Sequence, residues 1–161
     1  KIRPIIFGGG QETLIRSGTE NLVGICGFGL ASEISQNNIN SSWKKVLELN
    51  ELFRIKLKES IEKITILSPQ DASPYILNVS FADVKGEVLL HHLEEKEIFV
   101  STGSACSSRK NRHSHVLQAM GCHSNIIDGA VRFSFCEENT VEDIKFTIEA
   151  LKEIIPKIAL K

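Results

Sequence analysis

At 161 residues the chain is long enough for one ordinary domain and too short for two full ones. Hydrophobic residues are 42% and charged residues 24%, as in a soluble globular protein, and 19 basic against 20 acidic side chains leave a formal net charge of -1, without the basic excess of a nucleic-acid module. No run of about 18 apolar residues offers a membrane span, no secretory signal opens the chain, and four cysteines at irregular spacing do not make a disulfide scaffold, so the expected compartment is the cytoplasm.

The chain begins Lys1-Ile2-Arg3-Pro4 and its one methionine is Met120, which predicts a processed or truncated piece. Ile5-Ile6-Phe7 followed by Gly8-Gly9-Gly10 reads as a strand end and a tight loop. Ser17 or Thr19 can cap a helix whose dipole suits Glu20. From Leu22 to Ile34 the residues are small and apolar, which predicts a helix buried on most sides. The polar stretch Gln36 to Ser42 predicts a hinge or break. Beyond it Trp43, Val46, Leu47, Phe53, Leu57, Ile61 and Ile64 mark one face of a long helix.

Ile64 to Leu67 is a short predicted strand, stopped by Ser68-Pro69. Ile76 to Phe81 alternates, with Leu77, Val79 and Phe81 on one side and Ile76, Asn78 and Ser80 on the other. Lys85 to Glu95 predicts a helix with Val88, Leu89, Leu90 and Leu93 inward, and Glu97 to Ser101 a short strand. A loop of small residues, Ser101 to Ser108, leads into the basic run Arg109-Lys110-Asn111-Arg112. Ser114 to Met120 is a short helix ended by Gly121. Ala130 to Phe135 alternates again, with Val131, Phe133 and Phe135 opposite Arg132 and Ser134. The last helix carries Val141, Ile144, Ile148, Leu151 and Ile155 on one face, with Thr140 as N-cap and Asp143 completing a capping box. These elements predict an α+β fold, a small mixed or antiparallel sheet with helices packed on it.

Among reactive side chains, Cys106 stands apart. Cys26 sits in an apolar helix and reads as a small core residue. Cys106 lies among Ser and Gly, and Arg109, Lys110 and Arg112 would lower its thiol pKa; it reads either as a reactive thiol or as an ordinary loop cysteine. Arg132, on the polar side of a strand, is either a surface ion pair or a bidentate clamp on a carboxylate or phosphate. Gly18-Thr19 is either a plain cap or a phosphate contact. Gly8-Gly9-Gly10 has neither a dinucleotide fingerprint nor a P-loop lysine. Cys106, Cys122, His123 and Cys136, with His113 and His115, offer sulfur and nitrogen, but no C-x-x-C pair anchors a zinc site. His91-His92 reads as helix surface and Cys136 as a packing residue.

Gly8-Gly9-Gly10-Gln11-Glu12, Arg16-Ser17-Gly18-Thr19-Glu20-Asn21, Ser104-Ala105-Cys106-Ser107, Ser114 to Gly121 and Val131-Arg132-Phe133-Ser134 stand together in one order. In this the whole chain resembles the C-terminal part of the pyridoxal-phosphate-dependent cysteine desulfurases of the NifS/IscS type, in the class V aminotransferase group. The resemblance implies a transferase of the aspartate-aminotransferase fold type. Residues 1–35 would be the end of its large cofactor-binding domain, and residues 36–161 its small domain. It implies that pyridoxal 5'-phosphate activates L-cysteine, that Cys106 takes the sulfur as a persulfide while alanine leaves, and that Arg132 grips the substrate carboxylate. Thr19 would reach the cofactor phosphate of the other subunit in a homodimer. The sulfur would pass to an acceptor protein, an iron–sulfur scaffold or a tRNA-thiolation protein, with no direct nucleic-acid or membrane partner.

Departures accompany the match. Family members are about twice this length or more, and their Schiff-base lysine has a His-Lys context just upstream of the Gly-Gly-Gly segment. No lysine here has that context; Lys44, Lys45, Lys56 and Lys58 read as solvated helix charge. The chain alone is therefore expected to be inactive. The alternative function is a stand-alone sulfur-carrier or interaction domain that accepts a persulfide on Cys106 without making it.

Overall fold

The computed structural model describes residues 2–102 and 114–160. Contacts divide the chain into two compact units, residues 1–40 and 41–161.

The first unit is built around its glycine-rich loop. A short 3₁₀ turn at Gln11–Leu14 takes the chain back so that Ile6 bridges Arg16. The polar motif residues tie this loop to itself. Ser17 Oγ donates to the Gly9 carbonyl at 2.8 Å, the Gly18 N–H donates to Gln11 Oε1 at 3.2 Å, and Arg16 Nη1 donates to the Gly18 carbonyl at 2.7 Å. Gly18 has φ +112°, a conformation that side chains rarely tolerate. Helix α1 then starts at Leu22 and runs to Ser60. Its first turn is capped by Asn21, whose Oδ1 accepts from the Gly24 N–H at 3.1 Å, and not by the predicted Ser17 or Thr19. Of the hinge or break predicted at Gln36 to Ser42, the break in the helix is absent, since α1 is continuous there, while the boundary between the two units falls within the same stretch. The stretch contains neither Gly nor Pro, and its Asn and Ser residues each cost a helix only about 0.7 kcal/mol or less. Leu22, Val23, Ile25, Phe28, Leu30 and Ile34 are exposed, as is Cys26. The apolar side of this stretch is therefore left uncovered within the chain, as expected if it packs less completely than the second unit, and Cys26 is not the core residue its neighbours suggest.

In the second unit three strands, β1 (Ile64–Ile66), β2 (Ile76–Phe81) and β3 (Ala130–Ser134), form an antiparallel sheet in that order. Alternation sends Leu77, Val79, Phe81, Val131 and Phe133 to one face. There they form a core with Val46, Leu49, Phe53 and Leu57 of α1. Helices α2 (Gly86–Glu94) and α5 (Val141–Ile158) complete it with Leu89, Leu93, Ile144, Ile148, Leu151 and Ile154. Phe53 meets Phe133 edge-on, with ring centroids 5.0 Å apart. Trp43, expected on the core face, is half exposed and meets Tyr75 edge-on, with ring centroids 5.9 Å apart. Val88 also faces outward.

Helix α5 has the predicted capping box: the Asp143 N–H donates to Thr140 Oγ1 at 3.2 Å, and the Thr140 N–H donates to Asp143 Oδ2 at 2.9 Å. Residues 97–100 are not a strand. Only Ser101 pairs, as an isolated bridge to Arg132. Two short helices, α3 (His115–Ala119) and α4 (Ser124–Asp128), lie near the other face of the sheet. Leu117 and Ile127 pack with Ala130 there, and Ser80 Oγ donates to the Ile126 carbonyl at 2.7 Å. Gly86 is required by close approach: a Cβ on it would lie 2.8 Å from the Ala130 carbonyl oxygen. No described helix is long and apolar enough to cross a membrane.

Candidate functional site

The second face of the sheet opens into a cleft of about 640 Å³. Its floor comes from the outward residues of β2 and β3, namely Ile76, Asn78, Ala130 and Arg132. One rim is the loop after β1, at Leu67, Ser68 and Pro69. That rim is fixed from behind by α1. Arg54 Nη1 and Nη2 donate to the Ser68 and Pro69 carbonyls, each at 3.0 Å, and Arg54 Nε donates to Asn50 Oδ1 at 2.8 Å. The buried Asn50 in turn donates to the Pro74 carbonyl at 2.8 Å. Partial burial lowers the Arg54 pKa, with the Glu51 charge opposing the shift; a guanidinium stays cationic at physiological pH regardless.

Arg132 is exposed to this cleft, on the side opposite Val131 and Phe133. Its backbone is clamped to Ser101: the Arg132 N–H donates to the Ser101 carbonyl at 2.7 Å and the Ser101 N–H returns a bond at 3.1 Å. Among the described residues its guanidinium has no acidic partner. The lining of this concave, partly apolar site also carries Glu87 and Asp128, and a guanidinium without a described acidic partner there is suited to receive an anion. Lys85 lines the same cleft. Neither Lys85 nor Asn78 stood out in the sequence as a site residue. The available signal for Asn78 was a strand-disfavoured residue on the polar side of its strand, as Arg132 is of its own.

Cys106 lies outside the described residues, as do Arg109, Lys110, Arg112 and His113. The chain enters and leaves that stretch at Thr102 and Ser114, and both line the cleft. Ser114 caps α3, its Oγ accepting from the Leu117 N–H at 3.5 Å. Thr19 belongs to the first unit and is exposed. Its carbonyl accepts from Arg16 Nη1 at 3.4 Å. Cys136 is exposed and is not the packing residue expected. Its thiol donates to Asn139 Oδ1 at 3.5 Å, and its backbone N–H donates to the same oxygen at 2.9 Å. Cys122 is half buried beside the Leu117–Ile127–Ala130 cluster. Among the described residues no three His, Cys, Asp or Glu gather closely enough to hold a metal ion.

Residues 7–146 match the family described as aminotransferase class V. The chain belongs to that family. It is 38% identical over 159 residues to a cysteine desulfurase IscS of Dictyoglomus turgidum, and 41% identical over 162 residues to one of Methanosarcina thermophila. Each comparison takes in 98% of this class V chain, which spans 40% and 39% of the respective relatives. Among solved structures, a NifS-like protein from Rickettsia africae superposes with a TM-score of 0.82 at 36% identity, over 97% of this chain and 41% of the other. The cysteine desulfurase CsdA from Escherichia coli, at 22% identity and a TM-score of 0.72 over 92% of this chain and 34% of the other, shares the fold. The α+β fold expected from the sequence, a small antiparallel sheet with helices packed on it, is thus one this chain shares with these class V proteins.

Class V desulfurases use pyridoxal phosphate, and the cleft can be tested against it. A guanidinium, an amide and hydroxyls suit a carboxylate. The described lining holds no aromatic or imidazole ring to stack on a pyridine, and no described lysine is buried. The described residues therefore fit the amino-acid end of such a reaction and do not fit the cofactor's ring.

Proposed function

We propose that this chain is the C-terminal part of a pyridoxal-phosphate-dependent cysteine desulfurase. Residues 1–35 would end its cofactor-binding domain and residues 36–161 form its small domain. The observation that carries the reading is Arg132, a guanidinium without an acidic partner among the described residues, held by β3 in a cleft that Thr102 and Ser114, the residues flanking the segment with Cys106, also line. The similarity to cysteine desulfurases over 98% of the chain supports it. The apolar residues exposed on the first half of α1 support a further protein layer over that helix.

In this reading Arg132 fixes the L-cysteine carboxylate through two parallel N–H···O bonds. Cys106 acts as the nucleophile. Its thiolate forms an S–S bond to the substrate sulfur while the Cβ–S bond breaks. The electron pair of that bond and one proton end on Cβ, so L-cysteine and the Cys106 thiol become L-alanine and a Cys106 persulfide. Thr19 contacts the cofactor phosphate of the other subunit in a homodimer. The sulfane sulfur then passes to an acceptor thiol on an iron–sulfur scaffold or a tRNA-thiolation protein.

The test is made in the assembled, cofactor-loaded enzyme. Cys106→Ser should abolish sulfide and alanine release from L-cysteine while the cofactor absorbance persists. Peptide mass spectrometry of the wild type after L-cysteine should place the extra sulfur on Cys106. A persulfide on Cys122 or Cys136, or loss of the cofactor from Cys106→Ser, would overturn the assignment.

A further inference from the structure

We propose that Asn78 is a positioning residue that orients the Arg132 guanidinium toward a carboxylate in the cleft. This rests on the reading of Arg132 as the carboxylate clamp. Asn78 and Arg132 are direct cross-strand partners in the β2–β3 register. Their main-chain groups point away from each other. Those of Arg132 bond Ser101, while the Asn78 carbonyl accepts from the Leu67 N–H at 2.8 Å and the Asn78 N–H donates to Ser68 Oγ at 2.9 Å. Such a pair exchanges no hydrogen bonds with itself, and in this geometry the opposed side chains come closest, with Cα atoms about 4.5 Å apart. Both side chains face the same cleft.

Asn78 Oδ1 is buried and has no hydrogen-bond partner among the described residues. A buried amide oxygen without a donor is rare in folded proteins and calls for a physical reason. Directly opposite Asn78 in the strand register is Arg132, whose guanidinium has five N–H groups and no acceptor. A carboxylate bound bidentately uses two of these N–H groups and leaves others for a lateral acceptor. Opposed Cβ atoms are about 4.5–5.5 Å apart, well within the reach of an arginine side chain. The amide accepts without adding charge. An aspartate in its place would pair with Arg132 and compete with the incoming carboxylate.

Four variants of the loaded enzyme, Asn78→Ala, Asn78→Asp, Arg132→Ala and the double Asn78→Ala/Arg132→Ala, test the idea. Asn78→Ala should raise KM for L-cysteine about three- to tenfold with kcat nearly unchanged, the signature of lost ground-state binding. Asn78→Asp should raise KM further, because it neutralises the clamp. With Arg132→Ala as the second substitution, the two effects should combine to less than their product, since each acts through the other. A second readout is independent of turnover. Addition of L-alanine should slow water exchange of the Arg132 Nε–H, followed by ¹⁵N NMR, in the wild type and not in Asn78→Ala. If Arg132→Ala raises KM while Asn78→Ala leaves KM and the Nε–H exchange unchanged, the Asn78 inference is wrong and the clamp stands. If Arg132→Ala leaves KM unchanged, the clamp itself is wrong and the inference falls with it.

Discussion

Arg132 owes its place to period-two alternation. With Val131 and Phe133 committed to the core, the side chain between them must face the other way. The sequence alone left an ion pair and an anion clamp open, and the absence of an acidic partner among the described residues favours the clamp. A lysine there would keep the charge and lose the planar fork. Arg132→Lys in the loaded enzyme should therefore lower kcat/KM for L-cysteine by about ten- to a hundredfold, the equivalent of roughly 1.5–3 kcal/mol for one charged, bidentate contact. The thermal midpoint should hardly move, because the side chain is exposed. Steady-state kinetics beside a melting curve checks both. Asn78 was less legible for a physical reason: its importance depends on strand register, which joins β2 to a segment some fifty positions on, and no local pattern encodes such a pairing. Cys26 misled because apolar neighbours along a helix imply burial only where another element covers them. Cys26 and Cys136 are both exposed.

At the scale of elements, the legible ones are those whose periodicity was long enough to fix a face. β2 and β3 alternate, and α5 keeps its apolar stripe and its capping box. The five-residue helix α4 is too short to show a period, and His123 before it makes no side-chain cap. Residues 97–100 have strand-like composition, but a strand needs a partner and only Ser101 reaches one. α5 is also joined to the segment after α2 by ions: Glu153 accepts from Lys96 at 2.7 Å and from Lys157 at 2.8 Å. Hydrogen bonds from Lys157 and Lys96, with their charges, lower the Glu153 pKa from 4.5 to about 2. A folded-state pKa below the unfolded value means that folding is favoured where the carboxylate is ionised in both states. The contribution is then fully present above the unfolded pKa of about 4.3 and fades as pH falls toward the folded value. Melting curves of the wild type and Glu153→Gln should differ at pH 7 and converge between about pH 4.5 and 2. A difference that persisted unchanged at pH 2 would mean that Glu153 acts by packing and not by charge. Exposure and salt screening keep the effect small.

At the scale of the whole molecule, the described residues offer grips without a cradle. Its cleft suits a carboxylate, while covalent capture of pyridoxal phosphate calls for a lysine activated by desolvation or by a neighbouring cation. Every described lysine is exposed or half buried. Lys56, Lys63, Lys96, Lys145, Lys152 and Lys157 are in surface ion pairs, and Lys85 sits at the open start of α2 on a cleft whose described lining has no ring to stack on a pyridine. The 161-residue chain by itself should therefore neither form the yellow imine with pyridoxal phosphate nor release alanine from L-cysteine. The measurement mixes the purified chain with stoichiometric pyridoxal phosphate, reduces with borohydride and maps the adducts. Scattered, sub-stoichiometric labelling of surface lysines is the expected result, because solvated amines differ little from one another in reactivity. One lysine labelled to completion, with alanine formed from cysteine, would show that the chain carries its own cofactor site, and the reading of it as the carboxylate-binding and sulfur-accepting part of a larger desulfurase would have to be abandoned.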